Sequence, residues 1–163
     1  VVFSGGEATT DRHLAAAMVE AKALGYKIGL HTAGCYPERL RQVLPLLDWV
    51  GLDIKTSWQN YADLVGVSSA AKSAAAALEL VLQSGVAYEI RTTVHPDWLP
   101  APELLTLGRG LKQVGVNNFA VQLYRSEGCS AQLMSPTDLT AYSGVACEHQ
   151  LGCMFAQFQL RGG

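Results

Sequence analysis

Apolar and polar positions along this chain fall into blocks that switch repeatedly between strand-like runs and helical spacing. Val1 to Phe3 is a short apolar run that breaks at Ser4-Gly5-Gly6-Glu7. Leu14, Ala17, Met18, Ala21 and Leu24 then recur at helical spacing, with Thr10 or Asp11 as a cap and Gly25 as a stop. Tyr26 to His31 reads as a second strand, followed by a turn at Thr32-Ala33-Gly34. Pro37 opens a helix with Leu40, Val43, Leu44 and Leu47 on one face, and Asp48 to Ile54 is a third strand. Residues 56 to 68 are irregular, with a helical turn at Tyr61 to Val65. Ser69 to Ser84 is an alanine-rich helix stopped by Gly85, and Val86 to Val94 is a fourth strand. Glu103 to Val114, Asn118 to Tyr124, Pro136 to about Gln150 and Cys153 to Leu160 give helix, strand, helix and a closing edge strand.

Strand and helix alternate throughout. That rhythm predicts an α/β fold of about six parallel strands with outer helices, a partial TIM-like (βα) barrel. No linker divides the chain, so residues 1–163 are read as one domain. The sequence starts inside its first strand, and that start is read as an N-terminal truncation. The first strand then has an open apolar edge that invites pairing with a second copy.

Composition narrows the function classes. Apolar residues make up 49% and charged residues 16%, which excludes a disordered chain. The net charge is −2 without a basic cluster, which argues against nucleic acid as a partner. No apolar run approaches the roughly 20 residues of a membrane-spanning helix. Cys35, Cys129, Cys147 and Cys153 are widely separated and form no CxxC pair, the pattern of reduced cytoplasmic thiols.

The chemistry-bearing residues cluster by position. Ser4, Gly5, Gly6 and Glu7 follow the first strand, and His31 to Gly34 follow the second. Asp53 and Lys55 end the third strand, Arg91 lies in the fourth with His95 at its end, and Gln122, Tyr124 and Arg125 end the fifth. Parallel α/β folds place their ligands outside the carboxyl ends of the strands. Each residue also fits a plainer role: a tight turn for Gly5-Gly6, a cap for Asp53, a solvated lysine for Lys55, a turn contact for His95. Arg91 asks for more. A guanidinium in an apolar strand needs an anionic partner, from the protein or from a ligand.

The series Ser4-Gly5-Gly6-Glu7, His31-Thr32-Ala33-Gly34, Gly51-Leu52-Asp53-Ile54-Lys55 and Ile90-Arg91-Thr92-Thr93-Val94-His95-Pro96 resembles radical S-adenosylmethionine (AdoMet) enzymes. Within them it is similar to the activases of glycyl radical enzymes, and most of all to anaerobic ribonucleoside-triphosphate reductase activating proteins. Tyr36-Pro37-Glu38-Arg39-Leu40, Leu46 to Gly51 and Gln122-Leu123-Tyr124-Arg125 extend the resemblance, which thins after about residue 135.

The resemblance implies a set of roles. Ser4, Gly5, Gly6 and Glu7 would hold the cofactor's methionine amino group, and Arg91 would meet its carboxylate or a ribose hydroxyl. Thr32, Asp53 and Lys55 would line the cofactor cavity, with His95 and Gln122 on the adenine side. A 4Fe-4S cluster would be held by Cys-x3-Cys-x2-Cys upstream of Val1, so the chain as given would be inactive alone. The implied partners are a glycyl radical enzyme, specifically anaerobic ribonucleoside-triphosphate reductase, and a reduced flavodoxin- or ferredoxin-type electron donor. His31 stands where some relatives carry an Asp that binds a monovalent cation, and Ala8 replaces a frequent Pro. The alternatives are a radical AdoMet enzyme acting on a small molecule, a non-catalytic cofactor-binding or interaction domain, and an ordinary phosphate-binding barrel.

Overall fold

A computed structural model describes residues 1–124, 140–143 and 145–162. Its framework is one six-stranded sheet, with β1 (Val2–Phe3), β2 (Gly29–Thr32), β3 (Trp49–Asp53), β4 (Ala87–Val94), β5 (Asn118–Leu123) and β6 (Gln157–Arg161) in sequential order. Every neighbouring pair is parallel. The helices between them are α1 (Leu14–Ala23), α2 (Pro37–Val43), α3 (Tyr61–Val65), α4 (Ala70–Ser84), α5 (Ala101–Gln113), α6 (Thr140–Ser143) and α7 (Val145–Met154). This is the partial (βα) barrel that the alternation predicts.

Period-2 alternation gives the sheet two unlike faces. Leu30, Val50, Leu52, Ile90, Val94, Phe119 and Val121 pack into one core with Leu14, Met18, Leu40, Val43, Leu78, Leu104 and Leu151 from the helices. The other face carries His31, Asp53, Glu89, Arg91, Gln122, Gln159 and Arg161 from four adjacent strands and β2. That polar face positions the site.

Several boundaries differ from the expected ones for identifiable reasons. The first helix starts later, because Ala8–Thr10 forms a separate 3-10 turn capped by Glu7 and Asp11 spends its carboxylate on the His13 N–H. Strand β2 starts later, because Asp48 accepts from the Ile28 N–H and from Lys27, fixing that segment outside the ladder. Cys153 lies in α7 and not in the last strand. Leu151 and Phe155, four residues apart, both bury, which carries the helix through Met154 before the chain enters β6. The expected helix start at Pro136, with Arg125 and Cys129, lies outside the described residues. β1 and β6 are the two edges of the sheet, as the open-edge expectation and the edge reading of the last strand require.

Candidate functional site

The first corner of the site is built on Glu7. Gly5 (φ +97°) and Gly6 (φ +51°) turn the chain after β1 in a conformation that favours glycine, and a Cβ at either would meet nothing within 4 Å. Their backbone is therefore open to a ligand. Glu7 itself is engaged. Its Oε1 accepts from the Thr9 N–H (3.1 Å), the Thr9 hydroxyl (2.6 Å) and the Thr32 hydroxyl (2.7 Å), and its Oε2 from the Ala33 N–H (2.8 Å). Thr32, buried, also accepts from the Gly34 N–H. Glu7 thus ties the turn after β1 to the end of β2, with acceptor capacity left on Oε2.

The second corner runs across β2, β3 and β4. Asp53 and Arg91 are register partners, and Asp53 Oδ1 accepts from Arg91 Nε (2.9 Å) and Nη2 (2.7 Å). Asp53 Oδ2 accepts from Lys55 Nζ at 2.9 Å. Arg91 Nη1 lies 3.1 Å from His31 Nε2, and the His31 ring meets Trp49 edge-on at 5.4 Å. The anionic partner that a buried Arg91 demands is therefore supplied by the protein. Burial, and next the Arg91 charge, hold the His31 pKa below its ordinary value against the opposing pull of Asp53 and Glu89.

A cavity of about 780 Å³ opens at the carboxyl ends of β4 and β5, bounded by Lys55, Thr93, Trp98, Gln122, Tyr124 and Arg161 among others. That size lies within the range of small-molecule sites, about 300–1,000 Å³. Lys55 also lines a neighbouring cavity of about 340 Å³ with Ala33, Cys35 and Tyr61, beside the Glu7 corner. Lys55 and Val65 are common to both, and Lys55 is the charged one. Cys35 is held as a thiol: burial and then Glu7 push its pKa up.

His95 sits behind the wall of the larger cavity. It is 2% exposed, stacks on Trp98 at 4.7 Å, meets Tyr124 edge-on, and accepts from the Asp97 N–H through Nδ1. It shapes the aromatic wall, and Trp98 and Tyr124 present that wall to the cavity. Ser4 is exposed beside the glycine turn. Of the expected site residues, Lys55 and Gln122 line the larger cavity; Asp53 and Arg91 pair beside Lys55, while Glu7 and Thr32 hold the turn whose Ala33 lines the smaller one.

Sequence reasoning quoted Gly51 and Thr93 within motifs without giving them a role, and passed over Glu89, Trp98 and Arg161. Glu89 and Arg161 form a fork-on-fork pair at 2.8 and 2.7 Å that reaches over β5, and Gln159 also accepts from Arg161. Alternation of Glu89, Arg91 and Thr93 along β4 is a signal that marks all three as one face. Gly51 and Trp98 carry no such local signal, because their importance comes from neighbours on other elements.

Among the described residues, no three His, Cys, Asp or Glu side chains come together as a metal site. The described cysteines, Cys35, Cys147 and Cys153, are free thiols, Cys35 ahead of α2 and the other two both on α7. They do not fit an iron-sulfur cluster. No helix among the described residues is long and apolar enough to cross a membrane.

No protein-family model matches the chain, and no curated protein matches its sequence. Solved structures do match it in shape. A domain of pyruvate-formate lyase-activating enzyme from Bacteroides vulgatus superposes with a TM-score of 0.73 over 99% of this chain and 98% of that one, at 14% identity. Native anSMEcpe, solved with bound AdoMet and Kp18Cys peptide, superposes with a TM-score of 0.69 over 98% of this chain and 49% of that one, at 16% identity. At such identity the likeness is one of fold. The chain has the partial barrel seen in those two proteins.

Proposed function

We propose that this chain is the AdoMet-binding barrel of a radical AdoMet activase. The partner in this reading is a glycyl radical enzyme, anaerobic ribonucleoside-triphosphate reductase, on which a glycyl radical is installed in the cytoplasm. A reduced flavodoxin- or ferredoxin-type protein serves as electron donor. The observation that carries the reading is the gathering of the open Gly5-Gly6 backbone, Glu7, Lys55 and Gln122 at the carboxyl ends of one parallel sheet. The same fold occurs in a protein solved with AdoMet.

The donor set fits AdoMet. Glu7 Oε2 retains acceptor capacity for an ammonium beside the open glycine turn. Lys55, its charge shared with Asp53, faces both cavities and suits a carboxylate. Gln122 with Trp98 and Tyr124 offers an amide and aromatic faces to a purine. When bound, AdoMet supplies the radical chemistry. The residues of this chain hold and orient it. Among the described residues no three side chains come together to hold an iron-sulfur cluster.

The test is AdoMet cleavage by protein produced from the complete reading frame, loaded anaerobically with iron and sulfide and reduced with dithionite. We expect 5′-deoxyadenosine to form, with Lys55→Ala lowering its rate roughly tenfold, the equivalent of one lost charge-assisted contact. Addition of the reductase should then give a glycyl radical signal in paramagnetic resonance. Absence of AdoMet cleavage by cluster-loaded protein would remove the activase reading.

A further inference from the structure

Arg91 is held on two sides by different chemistry. Asp53 Oδ1 takes Nε and Nη2, leaving Nη1 to face His31 Nε2 at 3.1 Å. A guanidinium has only donors and stays protonated, so the His31 nitrogen in this contact must carry its lone pair. The ring is therefore neutral, with its proton on Nδ1. The contact spans a whole strand, since His31 is on β2, Arg91 on β4, and β3 lies between.

Gly51 makes that span possible. It is the β3 register partner of His31. A Cβ at Gly51 would lie 3.2 Å from Arg91 Cζ, 3.2 Å from His31 Cδ2 and 2.7 Å from the Trp49 ring. Any side chain here would crowd the pair. The gap and the contact are two independent observations of one arrangement.

We propose that His31 is a positioning residue: as a neutral acceptor it fixes the Arg91 guanidinium, and through Asp53 it fixes Lys55, the cation that faces both cavities. The chain of contacts is continuous, from His31 Nε2 to Arg91, from Arg91 to Asp53 Oδ1, and from Asp53 Oδ2 to Lys55 Nζ. Protonating His31 removes the acceptor and sets a second cation against Nη1. Among the described residues, the charged groups facing the ring are Arg91 and Glu89 on β4 and Asp53 on β3, while β1, its other neighbour, contributes Val2 and Phe3. Of these, Arg91 is in direct contact and favours the neutral ring.

The consequence is acid sensitivity of a defined sign. The folded His31 pKa lies below its ordinary value of 6.5, so stability from this contact is full above 6.5 and is lost as pH falls through the folded value. The functional half of the inference, control of Lys55, rests on the AdoMet reading; the structural half does not.

Nitrogen NMR of the 163-residue chain tests the structural half without cofactor. At pH 7.5 His31 should show the Nδ1–H tautomer, with a pKa below 6.5 that returns toward 6.5 in Arg91→Gln. His31→Gln, which keeps an acceptor at the Nε2 position but does not titrate, should lose less denaturant resistance between pH 7.5 and 5.5 than the unaltered chain. An Nε2–H tautomer, a pKa at or above 6.5, or an equal acid loss in His31→Gln would overturn the proposal. Calorimetry with AdoMet tests the rest: affinity should fall roughly tenfold over the same interval in the unaltered chain and stay level in His31→Gln, one unit of protonation linkage. Equal loss in both proteins would overturn the link to Lys55. No AdoMet binding at any pH, with the NMR result intact, would defeat the cofactor reading and leave the His31–Arg91 relation standing.

Discussion

Asp53 and Arg91 face one another across β3 and β4, and a single carboxylate oxygen takes two of the guanidinium N–H groups at 2.9 and 2.7 Å. The Arg91 side chain is 10% exposed and Asp53 27%, so the pair is shielded on the arginine side. Breaking a buried pair from one side leaves an uncompensated charge, at a cost of about 3–5 kcal/mol when both groups are deeply buried. With Asp53 partly wet, Asp53→Ala should lower unfolding free energy by about 2 kcal/mol. Asp53→Asn, which retains an acceptor, should cost less. Urea denaturation at neutral pH measures both, and equal stability of all three proteins would show that the pair is not structural.

Glu7 is expected to be more than a ligand group. Four donors converge on its carboxylate, from Thr9, Thr32 and Ala33. Glu7→Ala leaves those donors without their acceptor and should cost about 1–3 kcal/mol, whatever it does to AdoMet. Glu7→Gln keeps the shape and gives a cleaner reading of binding. If Glu7→Ala were as stable as the unaltered chain while AdoMet affinity dropped, the carboxylate would be a ligand group alone.

The Glu89–Arg161 fork fastens the edge strand β6 to β4 over β5. Arg161→Met strands a nearly buried Glu89 and should cost about 2 kcal/mol. Arg161→Lys should restore little, because an ammonium cannot match both carboxylate oxygens at once. Adding Glu89→Gln to Arg161→Met should recover part of the loss, and a double-mutant cycle with zero coupling would dismiss the pair.

Tyr61 gives a test at high pH. Burial pushes its pKa up to about 12, while its hydroxyl accepts from the Lys55 N–H. An unfolded tyrosine ionises near 10, so the folded state loses stability as pH rises above about 10. Tyr142 is also raised, to about 12, by burial. Spectroscopic titration should therefore show both phenols ionising late, and Tyr61→Phe should remove one of them. A Tyr61 phenol ionising near 10 would contradict its enclosure behind Lys55.

The β1 edge is apolar, with Val1 54% and Val2 52% exposed. Such an edge offers unpaired backbone groups to another strand. The 163-residue chain should self-associate in light scattering as its concentration rises. A charged substitution, Val2→Lys, should reduce that association. A strict monomer at high concentration would refute edge pairing.

By itself the sequence determined the alternation of strands and helices, the core faces and the rim where polar residues collect. Spacing along the chain encodes these directly: Leu104, Leu107 and Leu111 recur at helical intervals and all bury. The helical turn expected at Tyr61 to Val65 is present as α3. What only the tertiary structure decided was who partners whom. Arg91 meets Asp53 across 38 residues of sequence and His31 across 60, and Arg161 meets Glu89 across 72. His95 turns into an aromatic wall, and Glu7 spends most of its acceptors inside the protein. Such pairings depend on strand register, where a slip of one residue sends every side chain to the opposite face. Nothing in the local pattern around Gly51 announces that its missing Cβ is the gap through which His31 reaches Arg91.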